Sequence, residues 1–118
     1  MSTGLTQKRC TACEAGTPPM PLEEAERMLA QVPGWELKPD EQKLSRRFKF
    51  KGFKEAMAFV NRVADLAEEE GHHPDIYISW NRVRLELTTH AIKGLSENDF
   101  IMAAKISALD DREVTRNA

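Results

Sequence analysis

Residues 53–90 read FKEAMAFVNRVADLAEEEGHHPDIYISWNRVRLELTTH, and the hydrophobic period changes in the middle of this stretch. In residues 53–70 the apolar side chains recur at intervals of three and four, which predicts one amphipathic helix of about five turns. The predicted stripe consists of Phe53, Ala56, Met57, Val60, Val63, Ala64 and Ala67. Gly71 is suited to end that helix, and Pro74 prevents its continuation. Beyond Pro74, apolar and polar residues alternate, which predicts a β-hairpin that turns near Asn81.

The same two periods occur on either side of this stretch. Before it, helical spacing begins after Pro21 and ends at residues 33–34, and alternation from Trp35 to Lys51 predicts another hairpin. After it, Ser96 begins a capping pattern for a last helix. Hairpins imply antiparallel pairing. The predicted fold class is therefore α+β, a four-stranded antiparallel sheet with three helices packed on one face, in the order α-β-β-α-β-β-α.

The length of 118 residues fits one domain, because domains of about 100 to 150 residues close around a single core. Residues 1–20 contain glycine and proline with little hydrophobic period, which predicts an extended N-terminal arm. We expect a single α+β domain over residues 21–110 and a polar tail over residues 111–118.

Composition argues against several classes of protein. The 17 basic and 19 acidic residues give a net charge of −2, so no overall field favours nucleic acid or an anionic membrane. Neither a signal-peptide pattern nor an apolar run long enough to span a bilayer occurs in the sequence. The basic residues between Lys43 and Lys54 alternate with phenylalanines, which is typical of a half-buried strand with a solvated face. We therefore expect a cytoplasmic protein with no membrane and no nucleic-acid partner.

The two cysteines, Cys10 and Cys13, form a lone C-x-x-C pattern in the arm. A reducing cytosol leaves them as thiols, so they do not staple the fold. A zinc or redox site needs further ligands or a strand-helix context that the arm does not show. We expect both cysteines to be dispensable.

All three histidines of the chain lie close together in sequence: His72 and His73 follow the long helix, and His90 ends the last strand. Imidazoles titrate near pH 6.5, so several in one cleft can donate and accept protons near neutrality. Strand alternation places His90 opposite Val83, Leu85 and Leu87, on the polar side. A second interpretation remains open, in which His72 and His73 form only a polar loop that suits the helix C-terminus.

Zinc is a third interpretation of the histidines, because three imidazoles can hold a catalytic zinc with an open position. Adjacent side chains such as His72 and His73 diverge, however, and the i, i+4 pair of a helical zinc motif is absent. We therefore expect no metal. Asp99 likewise has two possible roles, in the site and as the third residue of the helix that follows Ser96.

Several of these residues also carry a resemblance to a known family. The order Glu68, His72-His73-Pro74, Trp80, His90 and Asp99 resembles the signature of the pterin-4a-carbinolamine dehydratases. The resemblance covers roughly residues 22–109 and extends to Gly34-Trp35, Phe48-Lys49-Phe50-Lys51-Gly52-Phe53, Thr88-Thr89-His90 and Gly94-Leu95-Ser96. Some animal members carry an acidic residue where Gly71 stands and an arginine where Asn98 stands, so a charge network at those positions is not expected here.

The resemblance implies an enzyme that removes water from 4a-hydroxytetrahydropterin, the product of aromatic amino acid hydroxylases, to give quinonoid dihydropterin. It implies no cofactor, because the pterin is the substrate, and no metal. The implied catalytic residues are His72 and His90 as the acid/base pair, with His73 mainly positioning the pterin. The implied substrate-binding residues are Glu68, Trp35, Trp80, Thr88, Thr89 and Asp99.

The resemblance also implies partners. Members of the family form homodimers or homotetramers, and a hydroxylase would act in the same pathway. Some animal members bind a homeodomain transcription factor as its dimerisation cofactor. The alternative function for this chain is therefore a protein-interaction module that regulates a transcription factor.

Overall fold

The computed structural model describes residues 3–11 and 17–110 of the chain. It confirms the predicted fold class, with one four-stranded antiparallel sheet in the order β1-β2-β4-β3. The strands are β1 (Glu36–Lys38), β2 (Lys43–Lys49), β3 (Asp75–Ser79) and β4 (Arg82–Leu87). The two hairpins therefore join through β2 and β4, in which Arg46 lies opposite Leu85.

The three predicted helices are present, and a short helix precedes them in the arm. The helices are α1 (Thr3–Gln7), α2 (Leu22–Leu29), α3 (Phe53–Glu70) and α4 (Glu97–Ala108). A 3-10 turn, His90–Ile92, lies between β4 and α4. The long helix has the predicted bounds because Gly71 adopts φ +67°, a left-handed conformation that ends the helix at low steric cost.

The hydrophobic core lies between the sheet and α3 and α4. Phe48 of β2 and Leu85 of β4 face it, and Phe59 and Phe100 enter it from the two helices. Phe59 lies outside the predicted stripe of α3, whereas Phe53 is half exposed. The ring of Phe59 packs 4.8 Å from that of Phe48, so contact with the sheet selects the buried face of α3.

The N-terminal arm differs from the extended segment that we expected. Residues Thr3–Gln7 form α1, and Leu5 is only 2% exposed within the core. The helix packs against α4, and Lys8 forms an ion pair with Glu97 at the start of α4. The arm therefore packs on the domain over residues 3–11. Cys13 and the tail at residues 111–118 lie outside the described residues.

The end of β4 also differs from prediction. The strand ends at Leu87, and Thr89 instead makes an isolated bridge to Gly94 around the 3-10 turn. Strand alternation therefore does not apply to His90, which begins the turn and is exposed. The strands β1 and β3 form the two edges of the sheet, and their unpaired backbone groups could pair with or be covered by a second copy of the chain. The oligomer itself stays a prediction.

Candidate active site

His72 follows the left-handed turn that ends α3. The backbone N–H groups of Gly71 and His72 both donate to the carbonyl of Ala67, at 2.9 and 3.2 Å. This fixes the direction in which the chain leaves the helix. The His72 side chain is 11% exposed, so only a small part of the imidazole reaches solvent.

Asp99 holds the His72 ring from the start of α4. The Nε2 atom of His72 lies 2.7 Å from Oδ1 of Asp99, whose side chain is fully buried. The other oxygen, Oδ2, accepts from the Thr89 hydroxyl at 2.8 Å and from the Ser96 backbone N–H at 3.0 Å. The Ser96 side chain caps α4 in return, so Asp99 is both the capping-box residue and the partner of His72. Hydrogen bonds of this kind offset the free-energy cost of burying a carboxylate.

This arrangement selects one tautomer of His72. A carboxylate can only accept, so Nε2 must carry the proton that it shares with Asp99. The remaining ring nitrogen, Nδ1, is then the one available to a ligand. When neutral it is a base, and when protonated it is an acid.

His73 lies next to His72 but pairs with Glu68 near the end of α3 rather than with Asp99. Its Nε2 atom lies 2.6 Å from Oε2 of Glu68, and both side chains are more than half exposed. An exposed pair of this kind contributes little to stability. It can, however, hold an imidazole in one orientation at the mouth of a cleft.

The three histidines line one open cleft with a volume of about 260 Å³. The structure thus brings together the adjacent His72 and His73, which follow the long helix, and His90, which the sequence placed at the end of a strand. The cleft is lined by Thr11, Gly71, His72, His73, Thr88, Thr89, His90, Ala91 and Asn98. Sequence reasoning missed Thr11 and Asn98. In the arm, the sequence pattern singled out only the two cysteines. Asn98 stood out only as a position where some animal members of the family carry arginine.

Two tryptophans, Trp35 and Trp80, are substrate-binding residues by resemblance to the family. Neither is among the described residues that line the cleft. Trp35 is 5% exposed, donates from Nε1 to the Ser107 hydroxyl at 3.0 Å, and packs edge-on against Phe48. Trp80 is 65% exposed in the β3–β4 turn, where it lines a different hollow with Lys49. Within one chain, therefore, Trp35 is a core residue and Trp80 a surface residue.

A larger hollow lies elsewhere, on the outer face of the sheet, with a volume of about 480 Å³. Basic and apolar side chains line it, including Arg47, Tyr77 and Arg84, and the Arg84 guanidinium stacks 4.2 Å from the centre of the Tyr77 ring. Its lining contains no histidine. Chemistry rather than size identifies the histidine cleft as the candidate site.

The described residues contain neither a cluster of metal ligands nor a membrane-spanning helix. Among residues 3–11 and 17–110, no group of three or more His, Cys, Asp or Glu side chains is arranged to hold a metal ion. No helix in the described part of the chain is long and apolar enough to cross a bilayer. The expectation that no metal takes part stays a prediction.

A mostly buried ion pair joins α3 and α4. Glu70 accepts from the Lys105 ammonium at 2.7 Å and from the Cys10 backbone N–H at 2.9 Å. The Lys105 bond, followed by the Cys10 bond, lowers the pKa of Glu70. Burial, followed by the charge of Glu70, raises the pKa of the Cys10 thiol to about 12. Cys10 is therefore a protonated thiol that packs against the core, and not a reactive thiolate.

The lowered pKa of Glu70 predicts a pH-dependent contribution to stability. Because the folded pKa lies below the ordinary value of 4.5, the contribution is present above about pH 4.5 and is lost as pH falls through the folded pKa. Glu70→Gln should lower Tm by roughly 5 °C near neutral pH. The Tm values of both proteins should converge once the pH falls below the folded pKa of Glu70. The exposed neighbour Glu69→Gln is the matched control, and an equal Tm loss there would contradict the assignment.

Fold and cleft together define a small α+β protein with a candidate site lined by three histidines, one of them held by a buried aspartate. Residues 18–109 match the family model described as "Pterin 4 alpha carbinolamine dehydratase". A protein of Methylococcus capsulatus named "Putative pterin-4-alpha-carbinolamine dehydratase" is 55% identical over 105 residues, covering 89% of this chain and 92% of that protein. A protein of Rubrobacter xylanophilus with the same name is 50% identical over 105 residues, covering 89% and 97%.

Two solved structures are also similar. The transcriptional coactivator/pterin dehydratase from Brucella melitensis matches with a TM-score of 0.74 and 34% identity, over 77% of this chain and 97% of that one. A pterin dehydratase-like protein identified as a RuBisCO assembly factor in the alpha-carboxysome matches with a TM-score of 0.57 and 30% identity, over 64% and 88%. The chain belongs to the pterin-4-alpha-carbinolamine dehydratase family.

Proposed function

We propose that this protein is a dehydratase that removes water from 4a-hydroxytetrahydropterin to give quinonoid dihydropterin. The observation that carries the proposal is the placement of His72, oriented by the buried Asp99, in one cleft with His73 and His90. Family membership supports the same substrate class. The natural occupant of the cleft is then the pterin itself, and no additional cofactor is required.

The reaction needs two proton transfers and no electrons from outside. The bond between C4a and the hydroxyl oxygen breaks, and the departing oxygen takes a proton from an acid and leaves as water. The proton on N5 passes to a base, and the electron pair of that N–H bond forms the C4a=N5 double bond. Atoms and charge balance without an oxidant or reductant. One acid and one base near C4a and N5 are therefore sufficient.

His72 is suited to one of these transfers. With Nε2 engaged by Asp99, its Nδ1 atom is the nitrogen that exchanges a proton with the substrate. The buried carboxylate also stabilises the imidazolium whenever Nδ1 is protonated. The ring needs no reorientation during the reaction because Asp99 is itself fixed by Thr89 and Ser96.

His90 is suited to the other transfer. It begins the 3-10 turn after β4, lies on a different element from His72, and is exposed in the same cleft. Two imidazoles presented by separate elements can approach a flat ring from different directions. Exposure lets His90 return to its starting protonation state by exchange with water.

A turnover assay tests the proposal directly. The substrate is carbinolamine generated chemically, and dehydration is followed by absorbance in the presence of a chelator. The expected result is a rate well above the uncatalysed dehydration, with no loss from chelation. No rate above background would contradict the proposal.

An alternative function is a protein-interaction module. The two similar solved structures are described as a transcriptional coactivator/pterin dehydratase and as a RuBisCO assembly factor. Such a module would show no turnover in the assay above.

For the enzyme, we propose a cytoplasmic dimer or tetramer that acts on pterin released by an aromatic amino acid hydroxylase.

The exposed pair His73 and Glu68 should affect substrate binding more than the chemical step. His73→Ala should raise KM by about fivefold and change kcat less, because a group that binds ground state and transition state alike contributes uniform binding. Glu68→Ala should have a similar but smaller effect, since it only orients His73. Steady-state kinetics check both, with Glu69→Ala as the exposed control. A fall in kcat at unchanged KM would contradict this role for His73.

A further inference from the structure

The N-terminal arm reaches the histidine cleft at Thr11. Leu5 anchors α1 in the core, and Cys10 packs against the same core. From there the backbone of Cys10 donates to Glu70, the buried carboxylate that also binds Lys105. The chain then continues to Thr11, which is exposed and lines the cleft.

Asn98 holds Thr11 by both of its backbone polar groups. The Thr11 N–H donates to Oδ1 of Asn98 at 3.0 Å, and Nδ2 of Asn98 donates to the Thr11 carbonyl. A side-chain amide bonded to the N–H and the C=O of one residue imitates a strand neighbour and fixes that residue on both sides. Asn98 is buried, which limits the access of water to its side of these bonds, whereas Thr11 is exposed at the cleft.

The same turn of α4 also holds His72. Asn98 and Asp99 are consecutive, and their side chains bind Thr11 and His72 respectively. The distance between Thr11 and the reacting imidazole is therefore set by one rigid, capped helix start. A segment that served stability alone could bind anywhere along α4. Thr11 is instead held by Asn98, and both residues line the cleft.

We propose that Thr11 is a substrate-contacting residue of the histidine cleft and that Asn98 is the positioning residue that holds it there. This inference rests on the proposed function, because it assigns a further contact to the same pterin. The short side chain of threonine offers a hydroxyl for a polar edge of the heterocycle and a methyl group for its face. Its contribution is to binding, since the histidines supply both proton transfers.

The first test uses Thr11→Ala and Thr11→Ser, which keep the backbone bonds to Asn98. Thr11→Ala should raise KM about three- to tenfold, with kcat within twofold and an almost unchanged Tm. Thr11→Ser should restore most of the loss by returning the hydroxyl. Gln7→Ala, an exposed change elsewhere in the arm, is the control and should leave KM unchanged. An unchanged KM in Thr11→Ala would overturn the proposal.

The second test concerns Asn98 and includes a measurement that does not depend on activity. Asn98→Ala should raise KM at least as much as Thr11→Ala, and adding Thr11→Ala to it should raise KM little further. It should also speed tryptic cleavage after Lys8 and Arg9, because the arm loses the two Asn98 hydrogen bonds that hold Thr11. Fully additive effects on KM, or unchanged cleavage, would overturn the positioning role.

The wild-type rate separates failure of this inference from failure of the proposed function. Wild-type turnover with a normal KM in Thr11→Ala overturns only the contact with Thr11. Absence of wild-type turnover overturns the dehydratase and the contact together.

Discussion

Replacing both His72 and His90 by alanine should reduce kcat nearly to the uncatalysed rate, and each single replacement should reduce it by about 10²-fold. The reason is that loss of water needs a proton delivered to oxygen and another removed from nitrogen. Each imidazole supplies one transfer in our proposal. Single-turnover and steady-state rates of the wild type, both single variants and the double variant, measured with one pterin, check the result.

The two single variants should differ in stability. His90 is exposed in its turn, so His90→Ala should leave Tm nearly unchanged. His72→Ala removes a partner of the fully buried Asp99 and should lower Tm by several degrees. A moderate residual rate in either single variant is expected if the imidazoles can replace one another on opposite C4a stereoisomers. Near-wild-type kcat in the double variant would rule out histidine acid/base catalysis.

Local signals in the sequence were sufficient for most of the fold. The long helix ends where Gly71 and Pro74 predict, and the cap at Ser96 forms with Asp99 as its reciprocal partner. These features depend on neighbours within a few residues, so they can be recognised without tertiary information. The buried face of α3 was less predictable, because the rings of the sheet decide that Phe59 rather than Phe53 enters the core.

The site was predictable as a list of residues but not as an arrangement. Sequence suggested His72, His73 and His90, and the structure brings them to one cleft. The position of His90 was inferred from strand alternation, which fails because β4 ends before the 3-10 turn. Thr11 was missed because its contact with Asn98 joins residues far apart in the chain, and such pairs leave no periodic signal.

The arm shows the same limitation for stability. Its glycines and prolines predict an extended segment, yet Leu5 is buried and the Cys10 backbone N–H donates to Glu70. One apolar residue with a few specific hydrogen bonds is enough to dock a short segment on an existing surface. The Cys10 side chain also packs against the core, and its Sγ atom lies 3.7 Å from the Asn98 carbonyl oxygen, so we expect its replacement to loosen the arm rather than to be without effect. Cys13 lies outside the described residues, and its replacement stays a separate prediction.

Asp99→Asn should have the largest effect of any single conservative change, lowering kcat by about 10²- to 10³-fold and Tm by several degrees. The carboxylate accepts from His72, Thr89 and the Ser96 backbone, whereas an amide has one accepting oxygen. If that oxygen faces Ser96, the NH₂ group donates to Nε2 of His72 and forces the proton onto Nδ1. If it faces His72, the NH₂ group opposes the Ser96 N–H and the cap is lost.

Both orientations of the amide introduced by Asp99→Asn can be detected. The ¹⁵N chemical shifts of the His72 ring report which nitrogen carries the proton, and they should show Nε2–H in the wild type and Nδ1–H or a mixture in the variant. Glu97→Gln is the matched control, because it removes an exposed acidic charge from the same first turn of α4 while leaving His72 untouched. It should keep wild-type kcat and lower Tm only slightly. Loss of stability in Asp99→Asn with unchanged kcat and unchanged ring shifts would show that Asp99 caps the helix without orienting the imidazole.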